Sequence, residues 1–334
     1  MFPDKMISSQ KLEEMIVDAY GDDGNWITKA PVVIGELIKL RTLNALHFDF
    51  PDVDCFESFI KFSSSWKGRE WRSFTYMIGV PNKGQNQRGP TIKRRDGYLT
   101  FAGGSDSPPS AVKDALQHAD AFELLCHTSV SNLSEFRGSM KKLRSCRVSD
   151  CMMIDSIFVK DDGPVETLEE LYLLNLEGLK GIWKEPTERQ SLQNLKFLHF
   201  VNCKSLAKVF TVATLMGLPK LEELHVESCE DVVEIIGTEE ESHHGEKRDV
   251  ESKLKTLVLA ELPNLTRFYK EDQLMVKWVS LEKLQVSNCS RLKAVHLQKL
   301  HFSGFVEVRG NMEWWSSVDW TNESVKKNLR FKLL

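Results

Sequence analysis

A short apolar template recurs along this chain, and it constrains the fold more than any other feature. Segments 168–179 (LEELYLLNLEGL), 195–206 (LKFLHFVNCKSL), 221–232 (LEELHVESCEDV), 254–265 (LKTLVLAELPNL) and 281–292 (LEKLQVSNCSRL) share the pattern L-x-x-L-x-L-x-x-C/L-x-x-L. The second leucine falls at Leu171, Leu198, Leu224, Leu257 and Leu284, at spacings of 27, 26, 33 and 27. Weaker copies continue toward the N-terminus at Cys146, Phe122, Leu99, Phe74, Leu46 and Met15, and a degenerate one follows at Val306 in GFVEVRG. Twelve strand positions are expected, five from the strong pattern and seven by phase.

A consensus of this form at a period of about 20 to 29 residues is the leucine-rich repeat. In each unit x-L-x-L-x is a short strand whose two template residues point inward, because strand side chains alternate. One unit cannot bury its apolar face alone, whereas stacked units bury a continuous one. The expected fold is therefore α/β: a leucine-rich-repeat solenoid of about twelve repeats, a curved horseshoe with a parallel β-sheet on its concave face. Residues 1–310 form the solenoid, with irregular units over 1–145 and regular ones over 146–300, and 311–334 form a C-terminal cap and tail carrying Trp314, Trp315 and Trp320. Cys203, Cys229 and Cys289, with Cys151 as a weaker case, fill the ninth template position, where a small buried thiol fits the turn off the strand. The 33-residue interval leaves an excess of about six residues around TEEESHHGEKRD, which reads as an outward loop.

Composition removes several function classes. Lysine and arginine total 44 against 48 aspartate and glutamate, a formal net charge of −4, so bulk charge does not mark a nucleic-acid binder. There is no run of 18 apolar residues to span a membrane, and MFPDKMISSQ lacks the basic and apolar regions of a secretory signal; a cytoplasmic location is expected. The seven cysteines form no C-x-x-C pair. No G-x-S-x-G, H-E-x-x-H or G-x-G-x-x-G motif appears. Neither catalytic nor metal-ligating residues nor a cofactor are expected, and the chain reads as non-enzymatic.

The C-x-x-L form of the repeat, the aromatic units EWRSFTYMIGV and YLTFAGG, the helical SPPSAVKDALQHADAFELL and the closing NMEWWSSVDW together resemble the C-terminal leucine-rich region of plant disease-resistance proteins. These are the coiled-coil, nucleotide-binding, leucine-rich-repeat class of intracellular immune receptors, and the resemblance covers nearly the whole chain. It implies a recognition and autoregulatory module whose partners are a pathogen effector or guarded host protein and the nucleotide-binding domain of the parent or a related receptor. ATP binding does not carry over, because VPNKGQNQRGP lacks the G-x-x-x-x-G-K-[ST] spacing that cradles phosphates. The chain opens within what reads as a repeat, ISSQKLEEMIV, so the first repeat is expected to lean on an upstream domain. The alternative is a substrate-selecting or scaffold subunit of a ubiquitin ligase, where C-x-x-L repeats also occur, although the first forty residues contain no F-box-like helix.

Curved solenoids present their strand face to partners. The residue between the two inward template positions gives His47, Arg147, Tyr172, His199, His225, Val258 and Gln285; the residue before the first gives Glu170, Phe197, Glu223 and Lys283. Aromatic, histidine and charged side chains at such positions suit protein recognition. His199 and His225 are expected to be cross-strand neighbours, with Glu223 and Glu227 too few to complete a zinc site. A basic cluster (Lys83, Arg88, Lys93, Arg94, Arg95) and acidic residues over 239–251 should make the solenoid electrically polar along its length.

Overall fold

The structure is a computed structural model; it describes residues 12–17, 26–67, 71–79, 92, 96–104, 107–159, 165–184, 192–237, 248–270 and 274–334. The basic 83–95 segment, apart from Ile92, and residues 238–247 of the long interval lie outside the described residues. The chain divides into two units, 1–130 with 135–151, and 131–134 with 152–334.

The first unit lays six parallel strands in chain order: Glu14–Val17, Ala45–Phe50, Ser73–Ile78, Gly97–Ala102, Ala121–Leu125 and Ser145–Ser149. Helices return the chain between several of them. In Val53–Phe62 the Asp52 carboxylate caps the start by accepting from the Cys55 N–H at 2.7 Å, and Phe56, Phe59 and Ile60, at helical spacing, are buried. Aromatic rings fill this core. Phe50 lies 4.9 Å from Phe56 and 5.5 Å from Tyr76, both edge-on, an arrangement that matches ring quadrupoles.

The second unit repeats the same turn with less helix. Strands Glu170–Leu174, Phe197–Val201, Glu223–Glu227, Thr256–Ala260, Lys283–Ser287, Val306–Gly310 and Leu329–Leu333 form its parallel sheet. Short parallel strands at Lys208–Thr211, Glu234–Gly237 and Arg267–Tyr269 form a second sheet. Between them Leu171, Leu198, Leu224, Leu257 and Leu284 are fully buried, which is why the template repeats them. The end of the long interval is ordered differently from a loop: Arg248–Ser252 is a strand paired with Leu274–Trp278.

Among the described residues, the nine successive template strands from Ser73–Ile78 to Lys283–Ser287 end on the same backbone device. Seven non-glycine residues immediately after strands take positive φ: Cys126, Asp150, Asn175, Asn202, Ser228, Glu261 and Asn288, all between 53° and 59°. The preceding two turns use Gly79 and Gly103. This left-handed residue turns its N–H to the next strand's last carbonyl, as in Asn175 to Val201 and Asn202 to Glu227, both 2.9 Å. Glycine is required at Gly79, where a Cβ would run into the Ala102 carbonyl.

The next position holds the cysteine ladder. Cys151, Cys203, Cys229 and Cys289 are buried. The Cys203 thiol donates to the Leu173 carbonyl at 3.5 Å and Cys289 to Leu259 at 3.7 Å, one repeat back. Burial pushes the Cys151 thiol up to about 12 and Cys289 to about 11, which keeps them protonated and unreactive.

All twelve expected markers lie in strands. Two sit out of the expected register. Phe74 faces Gly97 while Leu99 faces Tyr76, and Leu284 faces Val308 while Val306 faces Leu329. Both slips are by two residues, which keeps the same face inward, so the apolar pattern alone does not resolve them. Leu329–Leu333 is a thirteenth strand that the marker count did not contain. Trp315 stacks on Phe331 of that strand with centroids 4.7 Å apart.

Candidate interaction surface

Parallel register places every second residue of the second unit's strands in rows across one sheet face. The first row runs Glu170, Phe197, Glu223, Thr256, Lys283, Glu307 and Arg330; the second runs Tyr172, His199, His225, Val258, Gln285, Arg309 and Lys332. A third begins Leu174, Val201, Glu227 and Ala260. The eight residues expected here, Glu170, Tyr172, Phe197, His199, Glu223, His225, Lys283 and Gln285, thus share one face. His47 and Arg147 belong to the first unit. His47 is half-buried beside Ile16 and Thr75.

Three of the ten are not the solvent-facing side chains that strand alternation suggests. Arg147 and His199 are each 6% exposed and Tyr172 is 9% exposed. For His199 and Tyr172 the cause is lateral: strands about 4.8 Å apart bring bulky neighbours into contact, and such a row shields itself. Arg147 instead sits 3.5 Å from the Glu123 carboxylate, which also accepts from the Thr100 hydroxyl at 3.3 Å. Glu123, which template counting passed over, lies on the same face as Arg147 and immediately follows the Phe122 marker; that offset was the available signal.

Four rings make up the centre of the second unit's face. Phe197 lies 5.0 Å from Tyr172 and 5.1 Å from His225, and His199 lies 5.1 Å from His225, measured between centroids. Burial, and then the neighbouring His225, pull His199 down to about 4. Burial also lowers His225, against the opposing pull of Glu223. Both imidazoles are neutral at pH 7, and among the described residues neither nitrogen of His199 has a hydrogen-bond partner. Glu227 approaches His199 at 3.7 Å and Glu223 approaches His225 at 3.8 Å, too far for hydrogen bonds. Among the described residues no group of three or more His, Cys, Asp or Glu is placed to hold a metal ion.

The face is divided by charge. Its first three strands carry Glu170, Glu223 and Glu227, the fourth is neutral, and the last three carry Lys283, Arg309, Arg330 and Lys332 around Glu307. Glu307 is held below the usual carboxylate range by Lys332 at 2.5 Å and Arg309 at 2.6 Å. Arg309, Arg330 and Lys332 were outside the expected set because the repeat template weakens beyond Leu292, and Glu227 because it follows the second inward template position, which the expected positions did not include.

A repeating strand, left-handed turn and buried cysteine, closed over a leucine core, define a leucine-rich-repeat protein. The family model for plant disease resistance protein RPS2-like leucine-rich repeats matches residues 123–230 and 212–301, more than half of the sequence. The chain belongs to this family. No helix among the described residues is long and apolar enough to cross a membrane.

Proposed function

We propose that this chain is a non-enzymatic protein-recognition and autoregulatory module of a plant intracellular immune receptor, acting in the defense response from the cytoplasm. The observation that carries the reading is the sheet face of the second unit. There Tyr172, Phe197, His199 and His225 pack as one aromatic patch beside Glu223 and Glu227. Aromatic anchors surrounded by polar groups are the composition that carries binding energy at protein interfaces. Family membership supports the immune role, and the ubiquitin-ligase alternative has no comparable support.

The partners on this reading are a pathogen effector or a guarded host protein, and the nucleotide-binding domain of the parent or a related receptor. Proximity labelling in plant cells tests it, comparing the native chain with a Phe197→Ala, Glu223→Lys variant. The expected result is a nucleotide-switch module, or a host or effector protein, labelled by the native chain and lost with the variant. Identical labelling by both, or recovery of ubiquitin-ligase core subunits in its place, would contradict the proposal.

A further inference from the structure

Several carboxylates of the second unit are paired with cations, whereas the two beside the aromatic patch are not. Glu177 meets Lys204 at 2.9 Å, Glu222 meets Lys255 at 3.1 Å, and Glu234 meets Arg267 at 2.8 Å. Glu223 and Glu227, one and five residues after the salt-bridged Glu222, face only imidazoles at 3.8 and 3.7 Å, and among the described residues neither has a lysine or arginine partner. Two uncompensated negative charges therefore border a wall of rings. His199 adds an independent sign of a missing ligand: it is more than nine-tenths buried in this patch, with both ring nitrogens unpartnered among the described residues. At the other end of the row stands Lys283, whose neighbour Glu307 is already paired with Lys332 and Arg309.

We infer that this patch seats an arginine side chain from a segment of a protein partner, with an acidic residue of the same segment reaching Lys283. A guanidinium fits better than an ammonium: its plane stacks on the Phe197 ring, and its forked donors can reach two carboxylates at once. The Glu223 and Lys283 strands are two strand steps apart, about 10 Å, which an extended segment crosses in about three residues at roughly 3.3 Å each. The expected motif is arginine and an acidic residue about three positions apart, with uncharged residues between them over Thr256 and Val258. This deepens the proposed function and rests on its claim that the face is a partner contact.

The probe is a phage-displayed library of random 12-residue peptides, selected on the full chain, with winners resynthesised for Kd measurement. Three variants, Glu223→Gln/Glu227→Gln, Lys283→Gln and Phe197→Ala, are checked for native circular dichroism first; Glu223 and Glu227 are about half exposed, so their amides should not disturb the fold. The expected outcome is enrichment of arginine with an acid about three residues away. Kd should weaken by about tenfold or more on Glu223→Gln/Glu227→Gln, and replacing the peptide arginine with citrulline should cost as much on the native chain but little further on that variant. Lys283→Gln should couple in the same way to amidation of the peptide acid. Peptides that need Phe197 but tolerate the glutamine pair and citrulline would overturn this inference while leaving the face as a contact surface. Binding indifferent to all three variants, or no enrichment at all, would overturn both.

Discussion

His199 is a buried base held without its proton. Its value of about 4 lies below the unfolded histidine value of about 6.5, so between those two pH values the unfolded chain binds the proton more readily than the folded one. The stability contributed by the neutral, buried ring is complete above pH 6.5 and is lost as pH falls toward 4, by about 3 kcal/mol. Urea unfolding from pH 7 to pH 4.5 should show the native chain losing more stability than His199→Gln, whose side chain does not titrate in this range; parallel pH profiles would contradict the assignment. The sequence placed His199 beside His225 because both hold one template position. It did not disclose burial, which depends on the bulk of Tyr172 and His225 on either side of it.

At the level of elements, the turns explain the repeat better than the strands do. Any apolar alternation supports a strand, whereas the left-handed residue followed by a buried cysteine sets where one strand ends and the next repeat begins. Asn175, Asn202 and Asn288 suit that conformation, while Ser228 and Glu261 occupy it at a cost that the bond from the Ser228 hydroxyl to Glu261 at 2.7 Å helps to offset. The final element depends on another side chain. Gln298, nearly buried, donates to the Asp319 carbonyl at 2.9 Å and accepts from the N–H groups of Thr321 and Asn322 at 2.7 and 2.9 Å. Gln298→Leu should leave those backbone groups unpaired at a local cost of about 1–3 kcal/mol. Hydrogen exchange should then quicken over 319–333 while the Phe197–Val201 strand stays protected; equal acceleration in both would show that Gln298 stabilises more than the terminal segment. This clasp was not legible in the sequence, because it joins residues more than twenty positions apart with no periodicity to announce it.

For the molecule as a whole, the five strong copies were enough to give the fold, the inward leucines, the cysteine ladder and the alignment of Glu170 through Gln285 on one face. They left the weak ends ambiguous: two registers slipped by two residues, and the strand at Leu329–Leu333 carries no leucine template. They also left the charge division of the second unit's face unread, since its basic half lies where the consensus fades. On the proposed function, partners are held on that face. Placing the photo-crosslinking residue p-benzoylphenylalanine at position 197, or at position 216 in the Val212–Met216 helix that packs on the second sheet, tests this directly in plant cells. Met216 is 57% exposed, so both positions can report contact. Discrete protein adducts are expected from position 197 and none from 216; adducts from 216 alone, or the same adducts from both, would contradict the proposed function.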